Sequence, residues 1–465
     1  MSEIIASVSG VRGIIGDNLN PYNINKFTSA YASYCKQNYK TKSRIVLGRD
    51  GRLHGEVIAN MVISILALHG FEVINIGIAP TPTIQIATEN LKCSGGISIT
   101  ASHNPQMWNG MKFLNPDGTF LDEFQVKGLI KIAEKNVFTF AEISKMKTVI
   151  DDNTWLDKHV EKVLKIRILD VNKIRKKKFK VVVDAVNSSG SLIVQMLLEK
   201  LDCKFIPLYC DGSGVFPHNP EPIPEHLRSL AISVKKNKAD LGISVDPDAD
   251  RLVLITETGE PFSEENTIAT VANFVLKNSI AKNKNVTVNL STTRSVDDIA
   301  ARHNAKVYRS PVGEINVVKE MIRRRSVVGG EGSGGVIYPE LHYGRDSLAG
   351  IAFVLNEIAD FSGKVSSYKR SMPQYFISKV KIDNVKDPDK VLKSIEQKYS
   401  DMNNYKQIWN NDGLKIDFED FWVHMRKSNT EPVIRIITEA GTELEAKKHQ
   451  EMFLQLIRKE SKSVK

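Results

Sequence analysis

Ser102 places a hydroxyl group directly after a short apolar segment, an arrangement that suits a nucleophile at the end of a strand. The preceding residues, Gly95–Ile99, are few and β-rich, as expected of a buried parallel strand. The pair Asn104-Pro105 breaks regular structure and predicts a loop. We therefore expect Ser102 at the carboxyl edge of a strand, where open α/β sheets bind ligands. An ordinary serine in a turn is the alternative on this segment alone.

Three carboxylates, those of Asp246, Asp248 and Asp250, alternate along one short segment. Pro247 keeps that segment out of regular sheet, so the carboxylates must share a loop, where they repel one another unless a cation lies among them. Hard oxygen ligands favour magnesium, calcium or manganese. An EF-hand loop would need glycine where Arg251 stands, and the apolar run after it predicts a strand. A catalytic magnesium site and a solvated acidic turn remain as alternatives.

A glycine-rich segment from Gly330 to Gly335 matches the letters of the GxGxxG dinucleotide template. That template requires a helix directly afterwards, whereas the residues from Val336 to Pro339 predict none. We infer instead that the glycines let a ligand approach the backbone while Glu331 and Ser333 hydrogen-bond it. A carboxylate and a hydroxyl suit the vicinal hydroxyl groups of a sugar.

Two further segments could bind an anion. Near the carboxyl terminus, guanidinium, hydroxyl and amide groups that together suit a phosphate dianion lie close in sequence: Arg426, Ser428, Asn429, Thr430 and Arg435. A polar surface loop is the alternative there. Near the amino terminus, a flexible segment from Ser9 to Gly13 carries Arg12, and a glycine-rich turn without a ligand is the alternative.

The elements that must position these residues alternate between strand and helix for most of the chain. This alternation restarts twice, which predicts three similar α/β domains with mixed, mostly parallel sheets. After Met372-Pro373, alternating segments and a final helix predict a smaller α+β domain with an antiparallel sheet. At 465 residues the chain is too long for one hydrophobic core. The expected domains are residues 1–148, 149–258, 259–372 and 373–465.

Composition and charge argue against several classes of protein. The chain is 42% hydrophobic and 25% charged, no run is long enough to cross a bilayer, and the first residues do not form a signal peptide, so the cytoplasm is expected. Its four cysteines form no CxxC pair, which predicts reduced thiols. The net charge of +10 would suit nucleic acid, a membrane or an anionic substrate, but the basic run Lys173–Lys180 lacks interleaved aromatic residues. We expect no nucleic-acid or membrane partner.

Taken together and in this order, the segments resemble the α-D-phosphohexomutase family across nearly the entire chain. The matching features are the arginine-bearing segment at Arg12, TASHNP at Ser102, DxDxDR from Asp246 to Arg251, GExSG around Glu331, and RxSNTEP from Arg426. Each is modest alone, but five in one order are specific. The resemblance implies four domains around a central cleft, with the first three related to one another.

The resemblance also implies a role for each residue. Ser102 carries a phosphoryl group, and Mg²⁺ is held by the three Asp side chains and one phosphoserine oxygen. Three carboxylates, a dianionic phosphate and Mg²⁺ sum to about −3, so Arg251 and neighbouring cations are needed to balance the cluster. His103 and Lys112 are candidates for proton transfer or charge stabilisation. Arg12, the sugar loop and the C-terminal phosphate loop bind the substrate.

The implied substrate is a hexose monophosphate, which passes through a hexose 1,6-bisphosphate as its two phosphates exchange roles. Within the family the sequence favours glucosamine 6-phosphate and 1-phosphate, with mannose and glucose phosphates as the alternative. A non-catalytic sugar-phosphate sensor and a phosphatase are further alternatives from other functional classes. The expected assembly is a monomer or a homodimer.

Overall fold

The computed structural model describes residues 4–39, 43–402, 404–427 and 433–463. It contains three α/β domains, each built on a mixed sheet, and a C-terminal domain built on an antiparallel sheet. The predicted fold class is therefore confirmed. No helix among the described residues is both long and apolar enough to cross a membrane. The predicted domain boundaries stay a prediction, although the first sheet itself extends to Asp151.

The first domain has a seven-stranded sheet in the order β1-β2-β6-β5-β3-β4-β7. Its elements are β1 (Ile5–Ser7), β2 (Gly10–Ile14), α1 (Pro21–Asn38), β3 (Arg44–Arg49), α2 (Gly55–Leu68), β4 (Glu72–Ile78), α3 (Thr81–Asn90), β5 (Gly95–Ile99), β6 (Trp108–Leu114), α4 (Glu123–Lys135) and β7 (Val149–Asp151). The segment that holds Arg12 was expected to be a flexible turn, and that expectation is wrong. It forms β2, because Arg12 pairs with Gly110 of β6 across the sheet.

The second domain has a four-stranded sheet in the order β11-β10-β8-β9, in which only β11 is antiparallel to its neighbour. Its elements are α5 (Trp155–Leu164), α6 (Val171–Lys177), β8 (Lys180–Asp184), α7 (Gly190–Lys200), β9 (Lys204–Tyr209), α8 (Arg228–Asn237), β10 (Leu241–Val245) and β11 (Leu252–Thr256). All five residues of β10 are buried. This central strand therefore fixes the position of the loop that follows it at Asp246.

The third domain repeats the arrangement with a sheet in the order β13-β12-β14-β15, again with one antiparallel edge strand. Its elements are α9 (Glu264–Asn278), β12 (Asn285–Asn289), α10 (Ser295–Arg302), β13 (Lys306–Ser310), α11 (Glu314–Arg324), β14 (Val328–Glu331), β15 (Gly335–Ile337), α12 (Ser347–Asp360) and α13 (Val365–Ser371). Because β15 follows the glycine-rich segment where a dinucleotide site would need a helix, that template does not apply here.

The fourth domain has five antiparallel strands in the order β16-β20-β19-β18-β17. Its elements are β16 (Phe376–Ile382), α14 (Pro388–Met402), β17 (Gln407–Trp409), β18 (Leu414–Asp417), β19 (Phe421–Lys427), β20 (Ile434–Ala440) and α15 (Glu443–Ser463). Helix α15 packs on β16 and β20, which gives this domain a hydrophobic core of its own, with Phe453 and Ile436 fully buried within it.

The first three domains share apolar cores. One buried cluster runs from Val183 in the second domain to Phe353 in the third. Another joins Ile84 of α3 to Met321 of α11, so the first and third domains also pack directly. With the domains packed in this way, residues at or just after the carboxyl ends of β5, β10 and β14 line one cavity.

Candidate active site

A cavity of about 480 Å³ lies where the four domains meet. Every predicted site residue outside the Asp triad lines it, provided that the structure describes the residue: Arg12, Ser102, His103, Lys112, Arg251, Glu331, Ser333, Arg426 and Arg435. The structure thus brings together side chains that are more than 400 residues apart in sequence. Three predicted phosphate-loop residues, Ser428, Asn429 and Thr430, lie outside the described residues.

Ser102 lies just past the carboxyl end of β5 with a left-handed backbone conformation (φ +51°). That conformation costs about 1–2 kcal/mol for a residue with a side chain, so its surroundings must hold it. The Ser102 amide donates to Thr100 Oγ1 at 2.8 Å, and Thr100 Oγ1 donates to Asp50 Oδ2 at 2.7 Å. The Ser102 hydroxyl is then directed at the metal loop, 3.2 Å from Asp246 Oδ2.

Arg52 holds the loop that follows Ser102, which we call the serine loop. The sequence did not indicate this role. Its guanidinium is fully buried and donates to the carbonyl oxygens of Ser102 (2.6 Å), Asn104 (2.7 Å), Pro105 (2.8 Å) and Trp108 (3.0 Å). It also pairs with Asp50 at 3.0 Å. The sequence does show Asp50 and Arg52 close together after a predicted strand. Their spacing alone gives no indication that Arg52 contacts the loop of Ser102.

Each carboxylate of the Asp triad has one oxygen held by the protein. Asp246 Oδ1 accepts from the amides of Asp250 and Arg251, both at 3.1 Å. Asp248 Oδ2 accepts from Lys112 Nζ at 2.6 Å and Thr81 Oγ1 at 2.7 Å. Asp250 Oδ2 accepts from the guanidinium of another residue, Arg345, at 2.5 Å. These contacts fix the orientation of all three side chains.

The remaining oxygens of the triad fit a cation. Asp248 Oδ1 and Asp250 Oδ1 are buried and have no hydrogen-bond partner among the described residues, and one oxygen from each Asp lies within 4.8 Å of the others. Buried acceptors without a partner are costly, so the arrangement leaves places for a bound ion. Carboxylate oxygens suit hard divalent cations. The EF-hand alternative fails, since Leu252 begins strand β11 and the Glu257 carboxylate instead accepts from the Ser366 amide at 2.9 Å.

The pKa values of Asp246 and Asp248 are shifted in opposite directions by their surroundings. Burial, together with repulsion from Asp250 and Asp248, raises the pKa of Asp246 well above its usual value. Burial alone would raise the pKa of Asp248 as well, but the adjacent Lys112 ammonium lowers it below its usual value. The cations of the protein therefore stabilise some but not all of the charge on the three carboxylates.

The three predicted catalytic partners of Ser102 occupy distinct positions. His103 Nδ1 lies 3.3 Å from Ser102 Oγ, and burial plus the charges of Arg251 and Arg12 lowers the His103 pKa to about 2, so the ring is neutral. Lys112 lies instead against Asp248 and Asp250, at 2.6 and 3.6 Å. Arg251 Nε lies 4.0 Å from Asp246 Oδ2. His103 is thus the only one of the three in contact with the serine hydroxyl.

Glu331 ends strand β14 and is held in the cavity by three donors. Asn289 Nδ2 and the Gly313 amide donate to Oε1 at 2.8 and 3.0 Å, and Arg345 donates to Oε2 at 2.8 Å. Burial raises the pKa of Glu331, but the Arg345 charge and the hydrogen bonds from Asn289 and Gly313 together outweigh it, so the net pKa is lowered. The turn after Glu331 needs Gly334, which has φ +86° and whose Cβ would meet the Leu252 carbonyl at 2.4 Å. Glu331 therefore presents a fixed, ionised acceptor.

Three cations form a row on the sheet of the fourth domain, and two of them, Arg426 and Arg435, line the cavity. Lys381 of β16, Arg435 of β20 and Arg426 of β19 are directly opposite one another across the antiparallel sheet. Like charges in that arrangement repel, and an anion between them removes the repulsion. Arg426 is oriented by Asp412 Oδ1 at 2.9 Å, and Asp412 Oδ2 accepts from the Val312 amide of the third domain at 2.7 Å.

All four domain models of one protein family match this chain in order. Their descriptions are phosphoglucomutase/phosphomannomutase α/β/α domain I (residues 4–140), domain II (157–259) and domain III (263–376), and the phosphoglucomutase/phosphomannomutase C-terminal domain (379–456).

Individual relatives match over nearly their full length. A phosphoglucomutase/phosphomannomutase of Thermococcus kodakarensis is 35% identical over 96% of this chain and 97% of its own. A probable phosphoglucosamine mutase of Methanopyrus kandleri is 31% identical over 97% of both chains. The crystal structure of a phosphoglucomutase/phosphomannomutase family protein from Burkholderia thailandensis superposes with a TM-score of 0.84, at 24% identity over 98% of both chains.

Proposed function

This chain belongs to the phosphoglucomutase/phosphomannomutase family, and we propose that it interconverts glucosamine 6-phosphate and glucosamine 1-phosphate through a phosphoserine at Ser102. The observation that carries the proposal is the shared cavity. It joins a hydroxyl beside a metal-binding triad, an ionised sugar acceptor at Glu331, and paired guanidinium groups at Arg426 and Arg435. A phosphate donor site, a sugar site and a second phosphate site are the three parts that a phosphohexomutase needs.

In the proposed reaction, a phosphoryl group on Ser102 Oγ passes to a hydroxyl group of the bound sugar phosphate. The P–O bond to serine breaks, a new P–O bond to the sugar forms, the proton of the sugar hydroxyl leaves to a base, and the departing Ser102 oxygen takes up a proton. His103, whose Nδ1 lies 3.3 Å from Ser102 Oγ, and Lys112 are the candidates for this proton transfer or for stabilising the charge that develops. The product of this half-reaction is a hexose 1,6-bisphosphate and a free serine.

The bisphosphate then turns so that its other phosphate faces Ser102, and the reverse transfer regenerates phosphoserine. Arg426 and Arg435 hold whichever phosphate is distal, because a phosphate dianion removes the repulsion between their charges. Glu331 and Ser333 hold the sugar hydroxyls in both orientations, with Arg12 at the same cavity wall. Ser428, Asn429 and Thr430 are proposed to complete the distal phosphate site.

Asp246, Asp248, Asp250 and the Ser102 oxygen would hold the metal ion, for which we propose Mg²⁺. When bound, a divalent cation supplies Lewis-acid polarisation of the phosphoryl group and neutralises charge as it develops. The residues around the triad supply the remaining balance. Lys112 contacts Asp248 and Asp250, and Arg251 lies near Asp246, so both stabilise the charge of the cluster.

The preferred sugar is the finer part of the proposal. Relatives of similar identity are named as phosphoglucosamine mutase and as phosphoglucomutase/phosphomannomutase. The latter name keeps glucose and mannose phosphates as a second candidate. In the proposal, Glu331 and Ser333 bind the hydroxyl groups of glucosamine, glucose and mannose phosphates alike. These contacts therefore support the mutase reaction without distinguishing among the three sugars.

The test is a coupled assay of the purified protein with glucosamine, mannose and glucose 6-phosphates, each with a trace of the corresponding bisphosphate and Mg²⁺. We expect 1-phosphate formation from all three to be measurable and kcat/KM to be highest for glucosamine 6-phosphate. A mannose or glucose preference would overturn the sugar assignment. Release of inorganic phosphate without a 1-phosphate product would instead indicate a phosphatase.

A further inference from the structure

Arg345 is a buried arginine, outside every sequence motif used above, that contacts both halves of the proposed site. Its Nη2 donates to Asp250 Oδ2 at 2.5 Å and its Nη1 donates to Glu331 Oε2 at 2.8 Å. We propose that Arg345 is a positioning residue. Its single guanidinium orients both the carboxylate of Asp250, which would bind the metal, and the carboxylate of Glu331, which would bind the sugar. The proposal rests on the proposed function, which assigns Asp250 to the metal and Glu331 to the sugar.

The two contacts leave each carboxylate able to accept further ligands. Arg345 holds Asp250 by Oδ2, while Asp250 Oδ1 stays buried without a partner among the described residues. On Glu331, the same guanidinium holds Oε2, and Asn289 and Gly313 hold Oε1. Each carboxylate oxygen can accept more than one hydrogen bond, so Glu331 keeps capacity for sugar hydroxyls. Arg345 therefore fixes direction without occupying the position of either ligand.

The backbone around Arg345 is itself anchored. Its amide donates to Glu314 Oε1 at 3.2 Å, and its Nε lies 3.1 Å from Glu314 Oε2 in an ion pair without hydrogen-bond alignment. The next residue, Asp346, caps helix α12 through Leu348 and accepts from His159 Nε2 of α5 at 2.8 Å. The guanidinium thus projects from a helix start that is tied to the second domain.

Gly335 makes room for the Arg345 side chain. A Cβ atom at position 335 would lie 2.3 Å from Arg345 Cδ, which is closer than atoms can approach. Any side chain at 335 must therefore displace the arginine or shift strand β15. A substitution of Gly335 is therefore a second, independent way to displace the Arg345 side chain. It leaves the charge of Arg345 unchanged.

A planar guanidinium is needed because the two carboxylates belong to different domains. Asp250 follows β10 in the second domain and Glu331 ends β14 in the third. Arginine reaches both with separate nitrogens in a fixed fork, whereas the single ammonium of lysine acts as a point charge and cannot hold both directions. Loss of the guanidinium should therefore weaken metal binding and sugar binding together. Loss of a contact to only one of the two carboxylates should weaken only one kind of binding.

The test compares Arg345→Lys with two matched variants. Thr81→Val removes the hydrogen bond to Asp248 and one to Ser98 Oγ, and it leaves the contacts of Glu331 in place. Asn289→Ala removes the hydrogen bond to Glu331 and those from Ser291 and Thr292, and it leaves the contacts of the Asp triad in place. Mg²⁺ affinity is measured by calorimetry without sugar, and KM is measured for glucosamine 6-phosphate and glucose 6-phosphate.

For Arg345→Lys we expect Mg²⁺ affinity to fall about 10- to 100-fold, as for other groups that orient metal ligands, and KM for both sugars to rise about tenfold or more. Thr81→Val should change only Mg²⁺ affinity, and Asn289→Ala should change only KM. An Arg345→Lys protein altered in one of the two quantities alone would overturn the proposal.

Gly335→Ala provides the second variant if Arg345→Lys does not fold. We expect it to reproduce both changes, whereas Gly128→Ala, at a position with no atom within 4 Å of the new Cβ, should produce neither. Unchanged metal affinity and KM in Gly335→Ala would contradict the proposal. If the wild-type protein turned over no hexose phosphate, the proposed function would fail, and the sugar-free Mg²⁺ titration would still decide whether Arg345 orients Asp250.

Discussion

At the scale of single residues, the key feature of the Asp triad is that the protein's own donors bind one oxygen of each carboxylate and so orient it. Backbone amides hold one oxygen of Asp246, Lys112 holds one oxygen of Asp248, and Arg345 holds one oxygen of Asp250. The other oxygens of Asp248 and Asp250 are buried and have no hydrogen-bond partner among the described residues. Such an arrangement is unfavourable by itself, since burial raises the cost of unpaired acceptors and of mutual repulsion. A bound divalent cation removes both costs.

The first prediction follows from this cost. Mg²⁺ at about 100 times its dissociation constant should stabilise the folded protein by about 2.7 kcal/mol, because it binds the native state only. Addition of EDTA should reverse the effect and abolish turnover. Asp248→Asn should show no Mg²⁺-dependent rise in Tm, which differential scanning fluorimetry would measure. An equal rise in this variant and in the wild-type protein would contradict the metal assignment.

At the scale of secondary structure, the serine loop depends on contacts that no neighbouring residue could supply. Ser102 adopts a left-handed conformation at the end of β5, and the Arg52 guanidinium binds four carbonyl oxygens of the following turn. The pairing of Arg52 with Asp50 is fully buried. The loop is therefore shaped by the end of β3 as much as by its own sequence.

We predict that Arg52→Met lowers the free energy of unfolding by about 3–5 kcal/mol, because it leaves the Asp50 carboxylate buried without its cation. Chemical denaturation would measure the loss. The control is Arg44→Met, since Arg44 of β3 forms a solvent-accessible ion pair with Glu72 of the neighbouring strand β4 and should change stability by less than about 0.5 kcal/mol. Equal effects of the two substitutions would show that the buried contacts do not hold the loop.

Strands β16, β20 and β19 give a different prediction, because they align Lys381, Arg435 and Arg426 in one row. Arg435→Gln should leave stability unchanged or raise it by about 0.2–1 kcal/mol, since it removes two repulsive pairs. The same change should raise KM for the sugar phosphate about tenfold, since a charged hydrogen bond of about 1.5–3 kcal/mol is lost.

Lys381→Gln is the control for the row of cations. It removes one repulsive pair, but Lys381 does not line the main cavity, so KM should stay at the wild-type value. Steady-state kinetics and thermal denaturation of both variants measure the two effects. A lower KM in Arg435→Gln would be inconsistent with a phosphate site at this position.

At the scale of the whole molecule, the fourth domain has its own core and is joined to the third largely by polar contacts. Arg294, at the start of α10, bonds the Asp417 carboxylate and the carbonyl oxygens of Phe418, Glu419 and Phe421. Lys415 Nζ donates to the Leu290 carbonyl oxygen at 2.8 Å. These contacts position Arg426 and Arg435, the proposed distal phosphate site, relative to Ser102 in the first domain.

We predict that Arg294→Met raises KM for the sugar phosphate about tenfold while Mg²⁺ affinity stays unchanged, because the metal site lies in the first two domains. Each lost hydrogen bond to the guanidinium is worth about 1.5–3 kcal/mol at most. Lys277→Met, which removes an exposed ion pair with Asp360, is the control and should alter neither quantity. Weaker Mg²⁺ binding in Arg294→Met would show that the domains do not act separately.

Sequence alone predicts the parts of this molecule that are contiguous. Ser102, the Asp triad and Glu331 each follow a strand whose pattern is evident, so the fold class and the order of the motifs could be stated in advance. Arg52 and Arg345 could not be assigned, because their partners lie 50 and 95 residues away. The strand at Arg12 was missed for the same reason, since β2 depends on pairing with the distant β6.

The phosphoryl group on Ser102 is the claim on which the rest depends, and peptide mapping tests it most directly. After incubation with glucose 1,6-bisphosphate and Mg²⁺, cleavage after Lys92 and Lys112 releases residues 93–112, which mass spectrometry can sequence. We predict one phosphoryl group on Ser102 in the wild-type protein, and neither label nor turnover in Ser102→Ala. Phosphate on a different residue, or wild-type turnover by Ser102→Ala, would contradict the proposed mechanism.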